Sequence, residues 1–153
     1  MGTRFPETEW ISYDVDAGSL ADAAATVSTL SEAATTEWFP HFTSTTAGGR
    51  LVQVDVEVPT RVTMPRWTGY QGASPPDRHE WDRFCAALRA HEQGHLDLVR
   101  EHLEEVDAQL AGQTPARAAA KWTQVLDALK SASRAFDQRT DHGRDAATLN
   151  LTM

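Results

Sequence analysis

The chain lacks several features that would place it in common protein classes. Cys85 is its single cysteine, so no internal disulfide can form, which is compatible with the cytoplasm without proving it. We expect Cys85 to be a small buried apolar residue. No apolar run is long enough to cross a bilayer, and the N-terminus has no apolar export core. As written, the sequence therefore predicts a cytoplasmic protein without a membrane segment.

Clusters of basic residues are also missing. The 14 lysines and arginines are dispersed among 22 acidic residues, which gives a net charge of −8 and a pI near 5.1. Nucleic acid and anionic membrane surfaces are therefore not expected as partners. A length of 153 residues with 41% hydrophobic content fits one globular domain, and nothing in it indicates an oligomeric state.

An H-E-x-x-H motif lies near the middle of the chain, at His91-Glu92-Gln93-Gly94-His95. Two histidines four residues apart on a helix lie on one face, one turn apart, so both rings can reach a single metal ion. Glu92 stands beside them, where it can act as a general base toward water. Short motifs also occur by accident, so the surrounding sequence has to support this one.

The residues around the motif predict one long helix. Pro75-Pro76-Asp77 indicates a helix start with Asp77 as the N-cap, and apolar residues then recur at helical spacing as far as Leu110. His91 and His95 fall on that buried stripe. A single histidine there is more often a core residue, but a pair flanking a glutamate favours a metal site.

A second helix is predicted after Gly112. Thr114-Pro115 is a typical helix start, and the apolar stripe that follows extends to Phe136. The two helices should form an antiparallel hairpin. Counting from Gly112 places Ser133 opposite the two histidines of the motif.

A zinc site of this type needs a third protein ligand and an open position for water. The second helix should end near Thr140, followed by Asp141-His142-Gly143 as a stop. Two candidates follow. His142 can reach from the helix end and is preferred, in which case Asp137 would orient a ligating imidazole. Alternatively, Asp137 binds the metal directly.

The N-terminal half reads as a mixture of strands and one helix. We predict a strand over Trp10–Val15, a helix from Ser19 to Ala33, and a hairpin turning at Gly48-Gly49. In its second strand Val52, Val54, Val56 and Val58 alternate with polar residues, which predicts one buried face. The fold class is therefore α+β: an N-terminal antiparallel sheet with one helix, then a long two-helix hairpin carrying the motif.

The predicted domain spans residues 10–144, with an N-terminal arm at 1–9 and a flexible tail at 145–153. An exposed sheet edge near the metal could hold an extended peptide as an added strand. Trp67 and Tyr70, on the segment leading to the motif helix, are candidates for lining the substrate cleft. An aromatic pair covering the core is an equally good interpretation of these two residues.

Four segments resemble a known bacterial family. They are Ser12-Tyr13-Asp14-Val15, Val62-Thr63-Met64-Pro65-Arg66-Trp67, Leu88-Arg89-Ala90-His91-Glu92-Gln93-Gly94-His95 and Phe136-Asp137-Gln138-Arg139-Thr140-Asp141-His142-Gly143. The family is one of predicted secreted zinc-dependent proteases, catalogued as a domain of unknown function. The resemblance covers residues 10–144, and the pair of motifs H-E-Q-G-H and D-x-x-T-x-H-G is its most specific part.

This resemblance implies a small zincin-like fold and peptidase activity carried by His91, Glu92, His95, Asp137, Thr140 and His142. Thr140 would support the ligands rather than bind the metal. The chain departs from the family pattern at Phe136, where tyrosine is frequent, so a hydroxyl role is lost there. It also shows no signal peptide, although the resemblance implies a secreted or envelope protein if the sequence is a piece of a longer one.

These observations predict a zinc metallopeptidase that hydrolyses peptide bonds in a peptide or protein substrate. Zn²⁺ would be held by His91, His95 and His142, or Asp137 in its place, with Glu92 as the general base. The alternative is a domain that zinc stabilises and that binds or supports without catalysis. A third interpretation is a helical interaction module with no metal.

Overall fold

The computed structural model describes residues 1–140, which have an α+β architecture. Within them the strands are β1 (Gly2–Arg4), β2 (Glu9–Val15), β3 (Thr35–Trp38), β4 (His41–Ala47), β5 (Arg50–Glu57) and β6 (Thr60–Trp67). The α-helices are α1 (Leu20–Ser28), α2 (Pro75–Leu103), α3 (Val106–Leu110) and α4 (Pro115–Arg139). The predicted α+β class is confirmed.

The strands form two mixed sheets rather than one antiparallel sheet. Their orders are β1-β5-β4 and β2-β6-β3, and each contains one parallel and one antiparallel pair. The parallel partners lie far apart in sequence, with Gly2 opposite Asp55 and Glu9 opposite Arg61, and local patterns do not encode such a choice. Because β1 lies within residues 1–9, the predicted arm contributes a strand to the first sheet.

The hairpin of β4 and β5 turns at Gly48 and Gly49, as predicted. Both glycines have positive φ, at 61° and 75°, a conformation that other residues adopt only with strain. The predicted burial of Val52 is wrong. The register shifts at this point so that Val52 has no partner in β4, and it is 55% exposed while Leu51 is buried. Because the bulge adds one residue to β5, the residues before it point to the opposite face from the one that strict alternation predicts.

The end of α1 and the start of α2 differ from the sequence prediction. Helix α1 ends at Ser28, where Ser28 and Thr29 donate hydroxyl hydrogen bonds to the carbonyls of Ala25 and Thr26. Such bonds compete with helical hydrogen bonding and favour a helix end. Helix α2 is capped by Ser74, whose Oγ accepts from the backbone N–H of Asp77, so Asp77 lies in the first turn.

The predicted single helix to Leu110 is interrupted after Leu103 and resumes as α3 at Val106. Leu103, Val106 and Leu110 are all fully buried. The interruption therefore keeps three large apolar side chains in the core while the chain changes direction.

Helix α2 crosses two separate hydrophobic clusters. The first cluster joins β2 and β6 to α1 and to the N-terminal part of α2, which contributes Trp81, Phe84 and Leu88. The second joins β5 to α3, α4 and the end of α2, which contributes Val99 and Leu103. The stretch of α2 between Leu88 and Val99 thus spans the junction of the two clusters.

Helices α2 and α4 pack as a hairpin whose connecting turn is bonded to strand β5. Gly112, with φ of 80°, donates its N–H to the carbonyl of Leu51, and the N–H of Leu51 bonds the carbonyl of Gln113. These bonds fix where α4 begins relative to the sheet. Over residues 1–140, no helix combines the length and apolar character needed to cross a membrane.

Candidate metal centre

The H-E-x-x-H motif lies on α2 at the junction of the two hydrophobic clusters. Its position between Leu88 and Val99 follows from helical periodicity, which brings every third or fourth residue to the same buried face. Glu92 and His95 are only 3% and 6% exposed, so polar side chains occupy core positions here. Buried polar groups require partners, and those partners come from other elements.

The two histidines converge on one carboxylate oxygen of α4. His91 Nε2 lies 3.0 Å, and His95 Nε2 2.7 Å, from Oδ1 of Asp137. The side chains are 8%, 7% and 15% exposed, in that order. One ligand atom from each of the three residues lies within 4.8 Å of the others. The cluster consists of the two motif histidines and Asp137, the alternative third ligand offered by the sequence.

The other ring nitrogens contact hydroxyl groups. His95 Nδ1 lies 2.7 Å from Ser133 Oγ, and His91 Nδ1 lies 3.5 Å from Thr140 Oγ1. A hydroxyl that accepts from Nδ1–H leaves Nε2 unprotonated and able to bind a cation. Ser133 lies opposite the motif as counted from Gly112, and Thr140 caps α4.

Phe136 holds both imidazoles in place. Its ring stacks on His91 with centroids 4.7 Å apart, and it meets the edge of His95 at 4.9 Å. Gly94 explains how the ring comes so close, because a Cβ at that position would overlap Phe136. The glycine of the motif is therefore required by the packing of α4 against α2.

Glu92 is buried beside the histidines and receives a hydrogen bond from Thr36 Oγ1 to its Oε1 at 2.8 Å. Its pKa is raised to about 7, chiefly by burial and in smaller part by the charges of Glu32 and Asp137, while the Thr36 hydrogen bond lowers it. Among the described residues nothing donates a hydrogen bond to the other oxygen, Oε2. A carboxylate with a pKa near neutrality and one available oxygen is suited to accept and return a proton.

The chemistry of the cluster fits a transition-metal ion such as zinc. Burial lowers the pKa of His95, which favours the neutral imidazole that binds metals. Two imidazoles and one carboxylate form a ligand set that zinc uses in catalytic sites, where a fourth position is left for water or substrate. His91, His95 and Asp137 could therefore hold the ion.

A polar cavity of about 50 Å³ opens at the cluster. Its described lining consists of Glu32, Ala34, Thr36, His91, Glu92, His95, Ser133 and Asp137. Glu32, Ala34 and Thr36 come from the segment that leads into β3 and from β3 itself. Sequence reasoning missed these three, because the threonine-rich stretch around them carries no motif and its partners lie on a distant helix.

The other predicted site residues are not brought to this cavity. Trp67 is buried with its Nε1–H donating to the carbonyl of Ala17, and its ring packs on Trp81. The hydroxyl of Tyr70 donates to Asp82 instead. The contacts fit the interpretation of an aromatic pair over the core. His142 lies outside the described residues, so its role stays a prediction.

Comparisons with known proteins place the chain in a family without giving it an activity. Searches of curated proteins and of solved structures found no match. A family model, by contrast, matches residues 11–143, which is nearly the range expected from the sequence. That range includes most of β2, both long helices and all the residues of the cluster. The chain therefore belongs to the family described as bacterial protein of unknown function, DUF922.

Proposed function

We propose that this protein is a zinc-dependent peptidase of a small zincin-like type. The observation that carries the proposal is the convergence of His91 Nε2, His95 Nε2 and the Asp137 carboxylate beside a buried glutamate. A motif that arose by accident would have no reason to meet a carboxylate on a second helix. It would also have no reason to border an open polar cavity.

His91, His95 and Asp137 are the proposed ligands. Ser133 and Thr140 contact the outer nitrogens of the rings, and Phe136 packs against both, so each imidazole is oriented before an ion arrives. When bound, zinc would polarise a carbonyl oxygen and lower the pKa of a water, which is the chemistry that amide hydrolysis needs.

Glu92 is the proposed general base. As the water oxygen bonds to the carbonyl carbon of the peptide, Glu92 accepts the water proton at Oε2. It then gives this proton to the amide nitrogen as the carbon–nitrogen bond breaks, so the products are a carboxylic acid and an amine. Thr36 holds Oε1 during both transfers and thereby fixes the direction of Oε2.

Strand β3 is the proposed binding edge for the substrate. It is the terminal strand of the sheet β2-β6-β3, and its Thr36 contacts Glu92. An extended peptide that hydrogen-bonds to this edge would pass next to the cavity. Main-chain recognition of this kind accepts many sequences, so side-chain preference must come from the lining of the cavity.

The proposal is tested by Glu92→Gln. The variant should retain stoichiometric zinc, measured by elemental analysis of protein purified without added metal, and should cleave a quenched peptide library about 10²–10⁴-fold more slowly. Glu101→Gln, on the exposed side of the same helix, is the matched control and should stay active. Zinc-loaded wild type that cleaves no peptide would favour the non-catalytic zinc domain. Protein that binds no zinc would contradict both.

The third ligand is tested by comparing Asp137→Ala with His142→Ala. Loss of a residue that only hydrogen-bonds a ligand costs about 10- to 100-fold in metal affinity, whereas loss of a ligand costs more. Competition with a fluorescent zinc chelator should therefore show the larger loss for Asp137→Ala. The reverse result would assign His142 as the ligand and Asp137 as its supporting carboxylate.

A further inference from the structure

The cavity beside the histidines is small, and one part of its lining is apolar. Its volume is about 50 Å³, and among its described lining residues only Ala34 has a side chain without a polar atom. Ala34 is 6% exposed and belongs to the first hydrophobic cluster. The residue therefore separates the apolar core from the cavity, and a substrate group that enters the cavity meets it.

The backbone is held in place on both sides of Ala34. Before it, the carbonyl of Ala33 accepts a hydrogen bond from the hydroxyl of Tyr13 at 2.5 Å. After it, β3 begins at Thr35, which is paired with Thr63 of β6. Residue 34 cannot move away from the cavity without breaking one of these connections. The size of its side chain therefore limits the space that a substrate can use.

The volume of the cavity restricts the groups that fit inside it. A group the size of a water molecule needs about 10–15 Å³, so this cavity holds about three to five such groups. The proposed reaction requires room for the ion, for the attacking water and for the oxygen of the scissile carbonyl. At most about two groups of that size then remain. This space accepts a hydrogen, a methyl or a hydroxymethyl group and is too small for a branched or aromatic side chain.

We propose that Ala34 is a specificity-determining residue that restricts the scissile carbonyl to glycine, alanine or serine. This inference rests on the proposed peptidase function and names its substrate class. Packed protein interiors resist extra atoms, so a larger side chain would have to stay outside and draw the carbonyl away from Glu92. An alanine side chain has no charge, donor or acceptor and acts through its size alone. Its substitution should change the choice of substrate and leave zinc binding intact.

The first test uses a randomised peptide library and identifies the residue at each new C-terminus by mass spectrometry. Zinc-loaded wild type should form products that end in glycine, alanine or serine about 10- to 200-fold faster than products that end in leucine or phenylalanine. Ala34→Gly removes one methyl group and should admit valine and threonine. Ala34→Val should restrict the products to those that end in glycine. Ala33→Gly, the same change at a neighbour outside the described lining, is the matched control and should keep the wild-type preference.

Binding separates this inference from the function on which it rests. N-acetylated hydroxamates of glycine, alanine and leucine carry their side chains next to a group that binds zinc. Calorimetry on zinc-loaded wild type should show that the glycine and alanine compounds bind at least about tenfold more tightly than the leucine compound. Ala34→Gly should reduce this difference, and it provides the comparison even if Ala34→Val does not fold.

The outcomes distinguish the two proposals. A size preference in binding that Ala34→Gly reduces supports the role of Ala34 even if wild type cleaves no peptide, a result that would contradict the peptidase alone. Products that end in leucine as often as in alanine would overturn the role of Ala34 and leave the peptidase in place. Equal affinities for the three hydroxamates, or a preference that Ala34→Gly leaves unchanged, would also overturn it. Protein that binds no zinc would overturn both.

Discussion

Helix α2 buries polar residues at its centre and apolar residues on either side, to a similar degree but for different physical reasons. Leu88 and Val99 are 3% and 1% exposed, and Glu92 between them is 3% exposed. Burial of the apolar pair is favourable in itself, because it removes hydrocarbon from water. Burial of Glu92 opposes solvation of its charge and persists only because distant elements supply partners.

The centre of α2 therefore buries polar groups at a cost in stability that its apolar flanks do not incur. The two apolar clusters hold α2 in place from both ends, so the residues between them need not contribute to folding. Thr36, Ser133 and Asp137 reach this stretch from β3 and α4, and each provides a hydrogen bond to one of its side chains.

The largest expected effect is on stability and falls in the apolar region. Leu103→Ala should lower the free energy of unfolding by about 2–5 kcal/mol, because it leaves a cavity where the side chain is fully buried. Glu92→Gln should leave stability unchanged or raise it, since an amide has no charge to desolvate. The free energies of unfolding of both variants are compared by urea denaturation in EDTA, with tryptophan fluorescence as the signal. Equal destabilisation by the two substitutions would contradict it.

Gly94→Ala should destabilise the protein by about 1–3 kcal/mol despite the better helix propensity of alanine, because the new methyl group meets the Phe136 ring. Zinc affinity should fall as well, since that ring packs on both histidines. In a Phe136→Ala background the same substitution should be neutral or stabilising by up to about 1 kcal/mol. Strictly additive free energies of unfolding across the four proteins would show that the two positions do not interact.

Thr36→Val should lower kcat about tenfold with little change in KM, because it removes the hydroxyl that orients Glu92 while keeping the shape of the side chain. Thr36→Ser should restore most of the activity. Thr35→Val is the control, since its side chain points to the other face of the strand. A higher KM with normal kcat would indicate that Thr36 contacts the substrate and has no effect on Glu92.

The smallest expected effect concerns Cys85, which packs at the margin of the first cluster. Burial raises the pKa of its thiol to about 11. At pH 8 only about one molecule in a thousand would carry the reactive thiolate, so labelling should be slow and should accelerate as the pH rises toward 11. A colorimetric thiol assay in native buffer and in guanidinium measures the difference. Rapid labelling of native protein at pH 8 would contradict it.

Much of the candidate site follows from the sequence because its signals are local. The spacing of His91 and His95 fixes their shared face, and the Gly112 turn fixes which part of α4 lies opposite. Ser133 and Asp137 are therefore found by counting. Helical periodicity and a short connection together encode this geometry.

What the sequence does not encode locally is pairing between distant segments. The parallel partners of β1 and β2 depend on the whole chain, which is why an antiparallel sheet was expected and two mixed sheets were found. Thr36 and Glu32 also reach the site through pairing between distant segments. Their segment has no motif of its own, and only the packing of β3 near α2 brings them to Glu92.

The backbone hydrogen bonds between Leu51 and the Gly112 turn fix the rotation of α4 about its own axis at the point where the helix begins. Each helical residue advances the direction of a side chain by about 100°. One extra residue between Gly112 and Pro115 would therefore rotate α4 by more than a quarter of a circle and carry Asp137 away from both imidazoles. The length of a turn far from the cavity thus determines where the Asp137 side chain points. We expect this turn to tolerate substitutions better than insertions or deletions.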